Sequence, residues 1–87
     1  MKTYHKTTHE LKTHPQYFTL IEAGLKHFEL RKDDRGYEVD DLLILREWSP
    51  VEEEYTGHAI CAVITCIVRD GPWLTPGYVA IGMRVLT

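Results

Sequence analysis

Gly24-Leu25-Lys26-His27-Phe28-Glu29-Leu30-Arg31-Lys32-Asp33-Asp34-Arg35 sets five ionisable side chains, within residues 26–32, around two strong core formers, Phe28 and Leu30. Such a strand is costly to build unless its charges face a partner. Alternate residues of an extended chain point to opposite faces. The alternation predicts Phe28 and Leu30 on the core face, with His27, Glu29 and Arg31 together on the other. Lys26 and Lys32 fall on the apolar side by parity, and as strand ends they swing their stems out to water.

The flanks of this stretch decide the architecture. Before it, residues 15–23 read as a helix: Pro15 suits a first helical turn, Thr13 or His14 serves as cap, and Phe18, Ile21 and Leu25 lie at i, i+3 and i+7. Gly24 ends that helix where a left-handed residue is wanted. Earlier still, residues 7–13 read as a strand with His9, Leu11 and Thr13 on one face and Glu10 and Lys12 on the other. After the stretch, Asp33-Asp34-Arg35-Gly36 is a turn by composition, and Tyr37-Glu38-Val39 pairs briefly. Residues 42–48, apolar on both faces at their start, read as a central strand that Ser49-Pro50 stops. Residues 51–57 read as an acidic loop with a solvated Glu52-Glu53-Glu54 tip.

Residues 58–69 are the longest strand candidate, with Ile60, Val63, Ile64, Ile67 and Val68 spread over both faces, as in a closed or half-closed barrel. A loop with two prolines and two glycines, carrying Trp73, leads to a last strand at 78–85, where Val79, Ile81, Met83 and Val85 share a face and Gly82 marks a bend or close approach. The expected fold is mainly β (α+β): a barrel with one helix inserted after the first strand.

Eighty-seven residues form one expected domain, 1–87, and a chain this short buries only roughly 60–65% of its unfolded surface. Its 44% hydrophobic and 26% charged content is that of a soluble globular protein. No apolar run approaches the roughly 20 residues of a membrane span, and Met1-Lys2-Thr3-Tyr4-His5 lacks the apolar core of a secretory signal. A cytoplasmic location is expected, with no membrane partner. Net charge of −3 argues against a basic coat for nucleic acid, so any such contact must be local. Cys61 and Cys66, of opposite parity, are expected as reduced core residues on opposite faces. His5, His9 and His14 scatter over different faces, and His58 with Cys61 has no established ligand spacing, so neither metal nor other cofactor is expected. The chain's one serine, Ser49, precedes a proline and offers no triad.

Residues 24–31 resemble the G-x-K-x-x-E-x-R signature of ASCH domains, members of the PUA-like superfamily. His9-Glu10-Leu11-Lys12, residues 31–35 and 42–48, Tyr55-Thr56-Gly57 and residues 77–82 resemble one short subfamily of it, small phage and bacterial proteins known mainly as a domain of unknown function. One departure is visible. Family members usually carry Gly-Asp before the central strand, and here the pair is Asp40-Asp41. The resemblance implies a five- or six-stranded pseudo-barrel with a cleft beside the helix and the signature strand. It further implies that the cleft holds RNA or a nucleotide-like molecule.

In that cleft Arg31 would give a planar fork for phosphate or carbonyl, Lys26 a point charge, and Glu29 an acceptor for an amino or hydroxyl edge. Lys12 would complete the cationic rim, Lys32 and Arg35 would add phosphate contacts, and Trp73, ahead of Tyr55 and Tyr78, is the best stacking platform. His9 reads as a satisfied structural histidine. An alternative is a hydrolase. A related PUA-like group cleaves the amide of acetylated cytidine with a lysine and a threonine three residues later. Lys26 fits that lysine, but Glu29 occupies the threonine position, leaving a Lys26–Glu29 pair to activate water. A third reading is a phage-type protein-binding or inhibitory module.

Overall fold

In the computed structural model, which describes residues 6–86, a helix lies against one face of a single curled sheet. The elements are β1 (Thr8–Thr13), α1 (Pro15–Glu22), β2 (Phe28–Lys32), β3 (Leu42–Ser49), β4 (Glu54–Val68) and β5 (Tyr78–Leu86). The strands lie in the order β1-β3-β4-β5-β2. β1 runs parallel to β3, and the other neighbours are antiparallel. The result is a mainly β half-barrel with one helix after the first strand.

The helix forms for local reasons. Pro15 stands in its first turn, His14 caps it with backbone alone, and the N–H groups of Tyr17 and Phe18 donate to His14 O. Beyond Ala23, Gly24 takes φ +76°, so that Gly24 N bonds Ile21 O and Leu25 N bonds Leu20 O. These two bonds make a Schellman ending. Phe18 and Ile21 are buried, each contributing roughly 1.5–3 kcal/mol. Leu25, expected on the same stripe, is exposed because it lies past the chain reversal at Gly24.

The inner face of the sheet carries Leu11, Leu43, Leu45, Ala62, Ile64, Val79, Ile81 and Met83, and Tyr37 plugs it from the loop before β3. β1 alternates as expected, with His9, Leu11 and Thr13 inward. Tyr37-Glu38-Val39 forms no strand; Tyr37 is core instead, its ring 4.7 Å from that of His9.

Three expectations are corrected. The faces of β2 are reversed: Glu29 points inward opposite Ile81 and is 5% exposed, while Phe28 and Leu30, opposite Gly82 and Ala80, stand half-exposed on the outer face. Apolar character misleads here because, among the described residues, no layer covers the outer face of the sheet. Second, β4 starts at Glu54, so Tyr55-Thr56-Gly57 belongs to the strand and a tight turn replaces the acidic loop. Third, β4 is not buried on both faces, and its cysteines are exposed free thiols. The register slips between Ile64 and Cys66, and this bulge turns Cys66 to the same outer face as Cys61. The same slip seats Cys66 opposite Gly82, where a Cβ would meet its Sγ.

Asp40 and Asp41 fasten the corner where β1, β3 and β4 meet. Asp40 holds φ +77°, a conformation that glycine enters at least cost, so the turn is made with aspartate. The buried Asp41 carboxylate accepts from His9 Nε2 at 2.9 Å, Glu38 N at 3.1 Å and Thr7 N at 3.3 Å. Burial opposes its ionisation, but those three hydrogen bonds outweigh burial and hold the carboxyl below the ordinary aspartate range. Because the folded value is the lower one, ionised Asp41 stabilises the fold above the unfolded value, and that contribution fades as pH falls through the folded value. Urea midpoints of the wild type measured from pH 6 down to pH 3 should therefore fall. In Asp41→Asn the fall should flatten, and stability at pH 6 should drop by roughly 2–3 kcal/mol. A variant with an unchanged acid limb would remove Asp41 from this role.

Candidate functional site

β1 and β2 are the two edges of the sheet, and its curl brings them face to face. Carbonyls along β1 alternate in direction, and Thr7 O already serves β3 through Leu42 N. The carbonyls of Glu10 and Lys12 therefore face the open edge. Arg31 Nη2 donates to Lys12 O at 2.7 Å, and Arg35 Nη1 to Glu10 O at 2.9 Å. Two guanidinium groups thus bridge a seam that no main-chain ladder closes.

Beside Arg31 the seam opens into a cleft of about 400 Å³, lined by Lys12, Thr13, His14, Tyr17, Lys26, Phe28, Glu29, Leu30 and Arg31. Glu29 forms its floor. Lys26 Nζ lies 3.6 Å from Glu29 Oε1, and Arg31 Nε lies 3.4 Å from Oε2. Both partners balance the buried charge from distances that leave Oε1 without a hydrogen bond. Thr13 Oγ1 is likewise buried and unpartnered. Lys26 is held from the other side by Phe28 O at 2.5 Å and stands over the Phe28 and Tyr17 rings at 4.8 and 5.7 Å.

Among the described residues the Glu29 Oε1 atom accepts nothing and the Thr13 hydroxyl is bonded to nothing, and both residues line the cleft; N–H or O–H donors would satisfy the carboxylate. Arg31 spends one N–H on Lys12 O and retains others for an acceptor on the same ligand. Nucleophilic attack asks for a hydroxyl within reach of a base. Thr13 Oγ1 has no such contact, and Lys26 faces Glu29 and Phe28 O.

Of the residues expected from sequence, Lys12, Lys26, Glu29 and Arg31 share this cleft. Arg35 and Lys32 line a second hollow of about 210 Å³ with Leu11, Arg31, Asp34 and Tyr37. Burial raises the Tyr37 phenol above its ordinary range against the opposing charges of Arg35 and Arg31, so its hydroxyl stays protonated at neutral pH. Trp73 lies exposed in the β4–β5 loop against Gly71, lining neither hollow. Tyr55 sits under Arg46 on the outer face, and Tyr78 pairs with Lys32. His9 is buried on Asp41. His5 lies outside the described residues. Among those described, no group of three or more His, Cys, Asp or Glu comes together, and no helix is long and apolar enough to cross a membrane. Sequence reasoning missed Thr13, His14, Tyr17, Phe28 and Leu30 as lining. Thr13 was readable: an inward polar residue at the last position of an edge strand faces whatever the edge faces.

A family described as "Domain of unknown function (DUF3850)" matches residues 8–83. The chain belongs to the DUF3850 family. It is also similar to an "Uncharacterized 12.9 kDa protein in GpA 3'region" of Escherichia phage P2, with 46% identity over 66 residues. That match covers 76% of this chain and 59% of the phage protein, so the chain spans under two thirds of its relative's length. The matched family range contains the whole cleft and both seam arginines of this DUF3850 domain.

The orphaned hydroxyl supplies a test on the free protein. An unsatisfied buried hydroxyl costs about 1–3 kcal/mol, so Thr13→Val should raise stability by about 1 kcal/mol, read as an increased urea midpoint at constant slope. A lower midpoint would mean that the hydroxyl is already satisfied.

Proposed function

We propose that this DUF3850 domain is a small PUA-like, ASCH-type module that binds RNA or a nucleotide in the cleft beside its G-x-K-x-x-E-x-R strand. The carrying observation is the pair of buried, unpartnered atoms, Glu29 Oε1 and Thr13 Oγ1, on two residues that line an open cleft. A protein keeps such a pair at a cost to its own stability, and a ligand that donates to them offsets that cost. Nucleobase edges present N–H donors and carbonyl acceptors side by side, which suits a free carboxylate oxygen beside a guanidinium. The cleft volume, near the lower end for small-molecule sites, suits one base with its sugar. Lys12, Lys26 and Arg31 outnumber Glu29 there, leaving positive charge for a phosphate in an otherwise acidic protein. The half-barrel with an early helix agrees with the same reading.

Isothermal titration of ribodinucleotides and nucleoside 5′-monophosphates tests it. At least one should bind, and Glu29→Gln should weaken that binding by roughly tenfold or more, as expected when a charge-assisted hydrogen bond is lost. Thr13→Val should weaken it by a smaller factor. No binding at millimolar ligand, or binding indifferent to Glu29→Gln in a protein of normal melting behaviour, would overturn the proposal.

A further inference from the structure

On the outer face of the sheet, next to the mouth of the cleft, cations sit on aromatic rings. Lys12 pairs across the sheet with Arg46, and Trp48 with Tyr55, so all four share that face. Lys12 Nζ is 4.4 Å from the centre of the Trp48 ring, and the Arg46 guanidinium 3.8 Å from that of Tyr55. His14 stacks on Trp48 with centroids 6.2 Å apart and planes inclined by 30°. Lys12 and His14 also line the cleft, so the strip begins where the cleft ends.

We propose that a single-stranded nucleic acid whose terminal nucleotide occupies the cleft continues over Trp48 and Tyr55, its bases stacking on the rings and its phosphates meeting Lys12 and Arg46. This rests on the reading of the cleft as a nucleotide site and names the ligand as a strand rather than a mononucleotide. Four of the five groups are on strands, so the spacing of the rings is set by the sheet and not by loops. The free-state contacts yield to such a ligand. An exposed cation–π contact changes an equilibrium by only about 2–5-fold, whereas a base stacked on an aromatic side chain contributes about 5–150-fold. A base that takes the Trp48 face therefore displaces the Lys12 ammonium, which is then free to reach the neighbouring phosphate. Glu10, 3.6 Å from Arg46 with both side chains largely exposed, is a weak competitor for that guanidinium. RNA and single-stranded DNA share the chemistry that the rings read, because every base has a stacking face.

Fluorescence anisotropy with labelled nucleoside 5′-monophosphates and octanucleotides of one mixed sequence, each as RNA and as single-stranded DNA, tests this on the intact protein. For whichever sugar binds more tightly, the octanucleotide should bind at least tenfold more tightly than the mononucleotide. Trp48→Ala should abolish most of that gain while leaving the mononucleotide affinity unchanged, and Trp48→Phe should restore part of it. Arg46→Gln should reduce the slope of log affinity against log salt by about 0.7 for the octanucleotide alone. Tyr55→Ala, at the hairpin end, repeats the test should Trp48→Ala melt early. Mononucleotide binding with no gain from length, or a gain that survives both aromatic variants, would overturn the strip and leave the cleft standing. Failure of every probe to bind would overturn both.

Discussion

A five-stranded sheet that curls until its edges meet, with no ladder between them, must satisfy the two edges by other means. β1 uses its odd carbonyls on β3 and leaves Glu10 O and Lys12 O facing across the gap. An open edge is a template for another chain's strand unless something occupies it. Arg31 and Arg35 occupy it from the opposite edge, each by a charge-assisted bond to a carbonyl. The gap that remains beside Arg31 is the cleft, so the hollow and the side-chain bridging of the half-barrel both come from the same two unpaired edges.

The seam also accounts for the buried carboxylate. Arg31 must reach inward and across to touch Lys12 O, and strand parity then turns Glu29 inward with it. Two cations within 3.6 Å keep the buried negative charge tolerable without supplying a hydrogen bond to Oε1. An arginine spent on closing the seam thus doubles as the counter-charge of the cleft floor. Phe28 and Leu30 face outward at the rim of the same cleft, where the Phe28 ring lies 4.8 Å from Lys26 Nζ.

Much of the fold was legible because local signals agree. Pro15 and Gly24 bound the helix, β1 alternates cleanly, and 78–86 carries its apolar set on one face. The errors have one source, the assumption that apolar side chains mark the interior. On a sheet covered on one side only, Phe28, Leu30, Cys61 and Cys66 lie outside, and two ionisable residues of β2 lie within. The bulge near Thr65 was invisible, because a register slip leaves no mark on composition while it reverses every later side chain of the strand. In the cleft Lys26, Glu29 and Arg31 were legible from the signature and Lys12 from the expected neighbouring strand, whereas Thr13 and His14 became members only through the curl that brings β1 to β2. Trp73 showed the opposite failure: an aromatic with no core role was exposed, but on a loop that leads away from the cleft lining.

The position of the cleft also follows from how stability is distributed. Between β3, β4 and β5 long antiparallel ladders, each with one register shift, hold the sheet, and the Asp41 carboxylate ties the start of β1 to that body. Across the seam Arg31 and Arg35 make side-chain bonds, whose rupture costs far less than parting a ladder. A ligand that must penetrate between packed strands would have to break the body; one that enters at the seam displaces only arginine contacts. The same arginines can then turn from a β1 carbonyl to an acceptor on the ligand, keeping their hydrogen bonds while the gap widens. Recognition placed at this edge, as proposed, would leave the core undisturbed, and the ladders elsewhere carry the stability that lets unsatisfied atoms persist there.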